Sequence, residues 1–167
     1  MIREQVMRST RLSGQVMRYH TWPTLTQQST GEHSWQVLRI YTEMFGPPSS
    51  AVAVYILYHD SGELHTGDLP FPAKRNSSVL KEECTRIEEA AIRKMTGGSM
   101  PELTREEGLK VKICDLVEMN EFGAHEVRLG NQYAVPIVED TLEIANNIAH
   151  GIGAEDAFLD YIRRRPA

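Results

Sequence analysis

The sequence predicts an all-α, single compact domain over residues 1–167. Three observations lead there. Apolar residues recur at helical spacing along most of the chain, the segments they form are bounded by side-chain caps and by glycine or proline stops, and almost nothing alternates with the period of two that a half-buried strand needs. A chain of 167 residues is also long enough to bury one sizeable core.

The elements follow in order. "STGEHSWQVLRIYTEMFG" reads as a helix opened by a capping box, Ser29 with Glu32, and stopped at Gly46-Pro47-Pro48. Ser49 or Ser50 caps a second helix running to about His59, whose apolarity on all sides predicts burial at the centre of the domain. Residues 61–76, punctuated by Gly62, Gly67, Pro70 and Pro72, read as a loop. "SSVLKEECTRIEEAAIRKM" is an amphipathic helix ended by Gly97-Gly98. "LTREEGLKVKICDLVEMNEFG" opens with a second capping box, Thr104 with Glu107, and carries Leu109, Ile113, Leu116 and Val117 on one stripe. Residues 136–150 and 154–165 form two final helices. Their apolar positions, from Ile137 through Leu142, Ile144, Ala145 and Ile148, suit either core packing or self-association.

Composition narrows the function classes. The chain is 41% hydrophobic and 25% charged, with a net charge of -5, which provides no whole-molecule reason for nucleic-acid or membrane binding. Arg3, Arg8, Arg11 and Arg18 against Glu4 make a basic N-terminal arm, which suits an anionic ligand or simply solvated surface. The longest apolar run, "AVAVYILY", is far too short to span a bilayer, and no secretory leader is expected from the N-terminus. Cys84 and Cys114 belong to no C-x-x-C, so neither a zinc finger nor a disulfide scaffold is supported, and a reducing, cytoplasmic setting is expected.

Four residues stand out on this map. His33 falls in the first turn of a capped helix, His59 and Asp60 end the apolar helix, and Asp115 sits inside an apolar stripe, where a charge is costly unless paired or metal-bound. Two imidazoles and two carboxylates suit a divalent transition metal. Each residue alone also has an ordinary reading: His33 as a helix-end histidine, Asp115 as the partner of Lys112 or Arg128.

Their order, His, then His-Asp, then a later Asp, all on helices, resembles the HD superfamily of metal-dependent phosphohydrolases. "GEHSWQV", "YHDSGELHTGDLPFPAK" and "VKICDLVE" resemble the three main motifs of its bacterial 5'-deoxynucleotidases, and Arg18 matches an arginine upstream of the first histidine. In size, and in the opening "MRYHTWP…EHSWQV", the chain is similar to the compact phage dATP triphosphohydrolases of that superfamily.

The resemblance implies an HD-type helical bundle in which His33, His59, Asp60 and Asp115 hold one divalent ion, zinc, cobalt or manganese. It implies catalytic carboxylates at Glu63 and Asp68, with Asp68 alternatively a turn residue. It puts phosphate contacts at Arg18 and Lys74, an aromatic sugar wall at Tyr19 (a tryptophan in the deoxynucleotidases), and base selection at Thr21. Arg11 and Arg75 extend the site only if they leave ordinary surface roles. Trp22 is read as stacking on a base or as core beside Pro23, with core preferred, and His65 as solvent-facing. The implied activity is hydrolysis of dATP to deoxyadenosine and triphosphate, with a 5'-deoxynucleotidase acting on monophosphates as the alternative and a non-catalytic nucleotide sensor behind both. A cyclic-dinucleotide phosphodiesterase is disfavoured because "HDSGELHTGD" lacks the Gly-Tyr-Pro extension of that class. The implied partners are a deoxynucleotide and further copies of the chain, as a dimer or hexamer, in the cytoplasm, that of a host if the chain is phage-encoded. No membrane or nucleic acid is expected among them.

Overall fold

The computed structural model describes residues 9–165 apart from 71, 72, 74 and 75, and among these it is helical with no strand. In chain order the elements are α1 (Thr10–Ser13), α2 (Thr30–Phe45), α3 (Ser50–Tyr58), α4 (Glu63–Thr66), α5 (Ser78–Thr96), α6 (Arg105–Arg128), a 3-10 turn (Gln132–Ala134), α7 (Val135–Gly151) and α8 (Glu155–Arg164).

Helix starts fall where the sequence puts a hydroxyl. Ser29, Ser49 and Ser77 each accept a hydrogen bond from the backbone N–H three residues on, satisfying a donor that the first helical turn leaves without a partner. At Thr104 the box closes reciprocally: its hydroxyl accepts from Glu107 N at 3.2 Å while the Glu107 carboxylate accepts from Thr104 N at 2.9 Å.

Helix α6 is the axis of the domain. It packs most extensively on α7 and α2, and it buries Ile113, Cys114 and Val117 completely. The sequence segment read as ending at Gly123 continues to Arg128, because Gly123 serves a close crossing rather than a stop. A Cβ there would lie 3.1 Å from Val138 Cγ2 and 3.2 Å from Ile137 Cγ2, so its absence lets α7 approach α6.

Two expectations change. Helix α3 is not buried on all sides: Val52 and Ile56 face the core, but Val54 and Leu57 are 41% and 48% exposed. This nine-residue helix packs on α2 and α6, and Val52, Tyr55 and Ile56, at i, i+3 and i+4, make up the face that meets the core. The segment after it is also not wholly loop, since Glu63–Thr66 makes a single helical turn. The α7 stripe divides, with Ala145 buried, Leu142 and Ile148 packed against the core, and Ile144 at the surface. No described helix is long and apolar enough to cross a membrane.

Candidate metal centre and nucleotide cleft

The chain between α1 and α2 forms a closed loop. Met17 and Ser29 pair in an isolated antiparallel bridge, and the Arg18 amide donates to the Gln28 carbonyl at 2.9 Å. Inside it Tyr19 adopts φ 57°, a left-handed conformation that a residue with a large side chain rarely takes. Two contacts hold it there. Its amide donates to Asp68 Oδ2 at 2.9 Å, and its ring stacks on Phe122 with centroids 4.5 Å apart and planes 1° from parallel.

One face of α6 grips this loop and the first turn of α2. Asp115, Glu118, Phe122 and Glu126 follow one another at spacings of three, four and four residues, so they line a single stripe. Glu118 accepts from Gln28 Nε2 and meets His33 Nδ1, both at 2.5 Å. Glu126, fully buried, accepts from the amides of Leu25 and Thr26 at 2.6 and 2.8 Å, from the Thr26 hydroxyl, and from Asn131 Nδ2 at 2.8 Å.

The stripe brings His33 against His59 and Asp60. His33 is fully buried, with Nε2 3.3 Å from Asp115 Oδ1 and 3.5 Å from Asp60 Oδ2. His59, at the C-terminal end of α3, has Nδ1 2.7 Å from the Ile56 carbonyl and Nε2 3.4 Å from Asp60 Oδ1. The Nε2 atoms of both rings are buried without a hydrogen-bond partner. Ligand atoms of His33, His59 and Asp60 all lie within 4.8 Å of one another. Each ring spends Nδ1 on an oxygen acceptor and turns Nε2 toward carboxylate oxygens, an arrangement that suits a divalent cation. Asp115 borders the same point, with its second oxygen 2.6 Å from Lys112 Nζ.

The electrostatics are those of a compact cluster of opposed charges. Burial pushes Asp115 up, but Lys112 and His33 hold it well below the usual carboxylate range. Asp60 is likewise lowered against its burial, by His59 and Arg18, whose Nη1 donates to Asp60 Oδ2 at 2.8 Å. Burial and Arg18 pull His33 down, yet the bonds to Asp115 and Glu118 raise it to about 9. A proton on His33 Nε2 and a divalent ion are therefore alternatives for the same position.

A cavity of about 720 Å³ opens onto the cluster. Arg18, Tyr19, Thr21, Glu63, Asp68 and Lys112 line it along with His59, Asp60 and Asp115. Leu116, Met119, Ile137 and Ile144 give it an apolar wall. Glu63, buried at the start of α4, is placed by the turn that follows Asp60.

The family model of YfbR-like 5'-deoxynucleotidases matches residues 10–110, well over half of the sequence. The chain belongs to the YfbR-like family. The 5'-deoxynucleotidase VV1113 of Vibrio vulnificus is 37% identical over 86 residues, 44% of each chain. The 5'-deoxynucleotidase YfbR of Salmonella arizonae is 33% identical over 94 residues, covering 49% of this chain and 47% of that one. The matched stretch thus spans less than half the length of either curated relative. The fold is similar to that of the cyanophage S-2L HD phosphohydrolase DatZ, solved with dA and one catalytic zinc ion. The TM-score is 0.70 at 22% identity, over 92% of this chain and 93% of that one. It is equally similar to an HD-domain phosphohydrolase of Listeria innocua, TM-score 0.70 at 21% identity, over 94% and 85% of the two chains.

In this YfbR-like chain most of the sequence-predicted residues converge, with exceptions. Trp22 is not core: it is 36% exposed, lines the cavity, and donates its indole N–H to the Tyr133 carbonyl at 3.2 Å. Arg11 is exposed on α1 and His65 on α4. Lys74 and Arg75 lie outside the described residues. Gln28, Glu118, Phe122 and Glu126 were not picked out from the sequence. The signal for the last three was present as acids and an aromatic in phase with Asp115 along one helix.

Proposed function

We propose that the chain is a divalent-metal-dependent phosphohydrolase that releases a deoxynucleoside by attack of water at the α-phosphorus, with dATP as the leading substrate. The observation that carries this reading is the pair of buried, unpartnered Nε2 atoms of His33 and His59 facing Asp60 and Asp115 at the mouth of a nucleotide-sized cavity. His33, His59, Asp60 and Asp115 would hold the ion, which supplies Lewis-acid polarisation of a phosphoryl oxygen and of water.

The chain's own groups divide the remaining work. Arg18, fixed by Asp60, presents a guanidinium to phosphate oxygens, and Lys112 adds a second cation beside the cluster. Glu63, on the lining of the same cavity, takes the proton of the attacking water. Asp68 has one oxygen on the Tyr19 amide and orients the loop as well as facing the cavity. As the water oxygen bonds to the α-phosphorus, the bond from phosphorus to the 5'-oxygen breaks, and that oxygen takes up a proton. From dATP the products are deoxyadenosine and triphosphate. The Tyr19 ring, fixed on Phe122, walls the sugar, and the apolar wall with Thr21 receives the base.

Arg18, Arg93 and Lys112 on one open cavity support a phosphate chain longer than one unit. The second reading, a 5'-deoxynucleotidase restricted to monophosphates, is favoured by the family membership and by Glu88 and Glu89 sharing that lining, since these acids oppose an extended polyphosphate. Self-association as a dimer or hexamer is part of the proposal, supported by exposed Trp35, Val54 and Leu57, and light scattering on the purified chain tests it.

The deciding experiment incubates zinc-, cobalt- or manganese-reconstituted protein with each dNTP, dNMP and ribonucleotide and resolves the products by chromatography. Deoxyadenosine with intact triphosphate supports the leading reading. Phosphate released from monophosphates alone moves the assignment to the second. Tight binding without turnover overturns both and leaves a nucleotide sensor.

A further inference from the structure

The Glu118 side chain is almost fully buried, and it does not line the cavity reserved for substrate. One of its oxygens lies 2.5 Å from His33 Nδ1 and the other accepts from Gln28 Nε2 at 2.5 Å. A carboxylate can only accept, so Nδ1 carries the proton and Nε2 is left as the face that points toward Asp60 and Asp115. Gln28 is itself buried, and its carbonyl receives the Arg18 amide. The backbone of the loop that carries Arg18 and Tyr19 is thereby joined to the imidazole through two side chains.

We propose that Glu118, braced by Gln28, is the positioning residue of His33, and that it couples ion binding to the conformation of the 18–28 loop. The inference rests on the reading of His33 as a metal ligand. Glu118 stands three residues after Asp115, so a single turn of α6 supplies one carboxylate beside the ion and another behind its histidine ligand. Outer carboxylates of this kind fix ring orientation and raise ligand basicity, and their loss weakens metal binding about 10- to 100-fold.

Gln28 Oε1 is buried without a hydrogen-bond partner, which makes a substitution at Glu118 informative. In Glu118→Gln the new amide keeps an oxygen for His33 Nδ1–H, and rotation of the Gln28 amide offers Oε1 to the new N–H donor. Both bonds survive without the charge. In Glu118→Ala neither does.

The test measures zinc affinity of the metal-free chain by competition with a chromophoric chelator, alongside circular dichroism to establish folding. Zinc binding about 10- to 100-fold weaker in Glu118→Ala, with most of the loss recovered in Glu118→Gln, is the expected result. Gln28→Ala, which keeps Glu118 in place, is expected to weaken binding several-fold, and it carries the test if Glu118→Ala does not fold. A nitrogen-edited proton spectrum of the metal-free chain should show a His33 imidazole N–H protected from exchange in wild type and Glu118→Gln, and none in Glu118→Ala. Wild-type zinc affinity in both alanine variants overturns the proposal while leaving the metal centre intact. A wild-type chain that binds no zinc overturns the metal centre itself, and the proposal with it.

Discussion

Arg18 Nη1 sits 2.8 Å from Asp60 Oδ2, so the cation assigned to phosphate is tied directly to a carboxylate assigned to the metal. Burial is the largest influence and opposes the charge on Arg18, but Asp60, Tyr19, Glu118 and Asp115 together outweigh it and raise the guanidinium above its ordinary value, keeping it charged at every working pH. The pair makes one prediction. Arg18→Gln should lower kcat/KM by about 10²- to 10³-fold, the usual effect of removing one donor to developing charge. Zinc affinity should hold or rise, because Asp60 loses a competing cation. A fall in affinity would instead make Arg18 a support for Asp60.

Metal binding should be visible in stability. A ligand that binds only the folded chain at a hundredfold excess over its Kd stabilises it by about 2.7 kcal/mol. For a chain of this size that is a rise in Tm of about 5–10 °C. Zinc should produce the shift, a chelator should reverse it, and His59→Gln should abolish it. Differential scanning calorimetry measures all three. An unchanged Tm for wild type at saturating zinc would contradict the centre.

Gly62 tests how tightly the Asp60–Glu63 turn is held against α5. A Cβ at this position would lie 2.5 Å from Glu88 Cα and 2.7 Å from its carbonyl oxygen. Backbone cannot swing aside as a side-chain tip can, so Gly62→Ala should destabilise the fold by about 1–3 kcal/mol in urea unfolding. Turnover should also drop, since the turn carries Asp60 and Glu63.

Glu126 predicts a pH effect remote from the chemistry. Burial pushes its carboxyl up, but the Leu25 amide, the Thr26 and Asn131 side chains and the Thr26 amide outweigh this and lower it from 4.5 to about 2. A depressed folded-state value means the stabilisation is fully present above pH 4.5 and is lost as pH falls from there toward 2. Protection of the Leu25 and Thr26 amides against hydrogen exchange, taken relative to the intrinsic rate at each pH, should therefore fall over that window. In Glu126→Gln protection should already be lower at neutral pH, by about tenfold per bond lost, with little further change on acidification.

The six longer helices of the described residues, the caps at Ser29, Ser49 and Thr104, and the linear order His33, His59-Asp60, Asp115 were legible in the sequence, because they rest on local hydrogen bonding and on spacing within one segment, whereas the short helices α1 and α4 were not. A hydroxyl three residues before a helical N–H acts without reference to the rest of the chain, which is why Ser29, Ser49, Ser77 and Thr104 cap where the sequence places them. Tertiary structure decided which segments meet. Only packing determined that α3 buries one face, that Trp22 stays at the surface, and that Asp68 reaches back 49 residues to hold Tyr19 at φ 57°. The face of α6 bearing Asp115, Glu118, Phe122 and Glu126 has a readable period, but a period does not name a partner. Polar side chains on a helix become a clasp only when another segment is packed against them and water is excluded, and that depends on contacts between residues far apart in the chain.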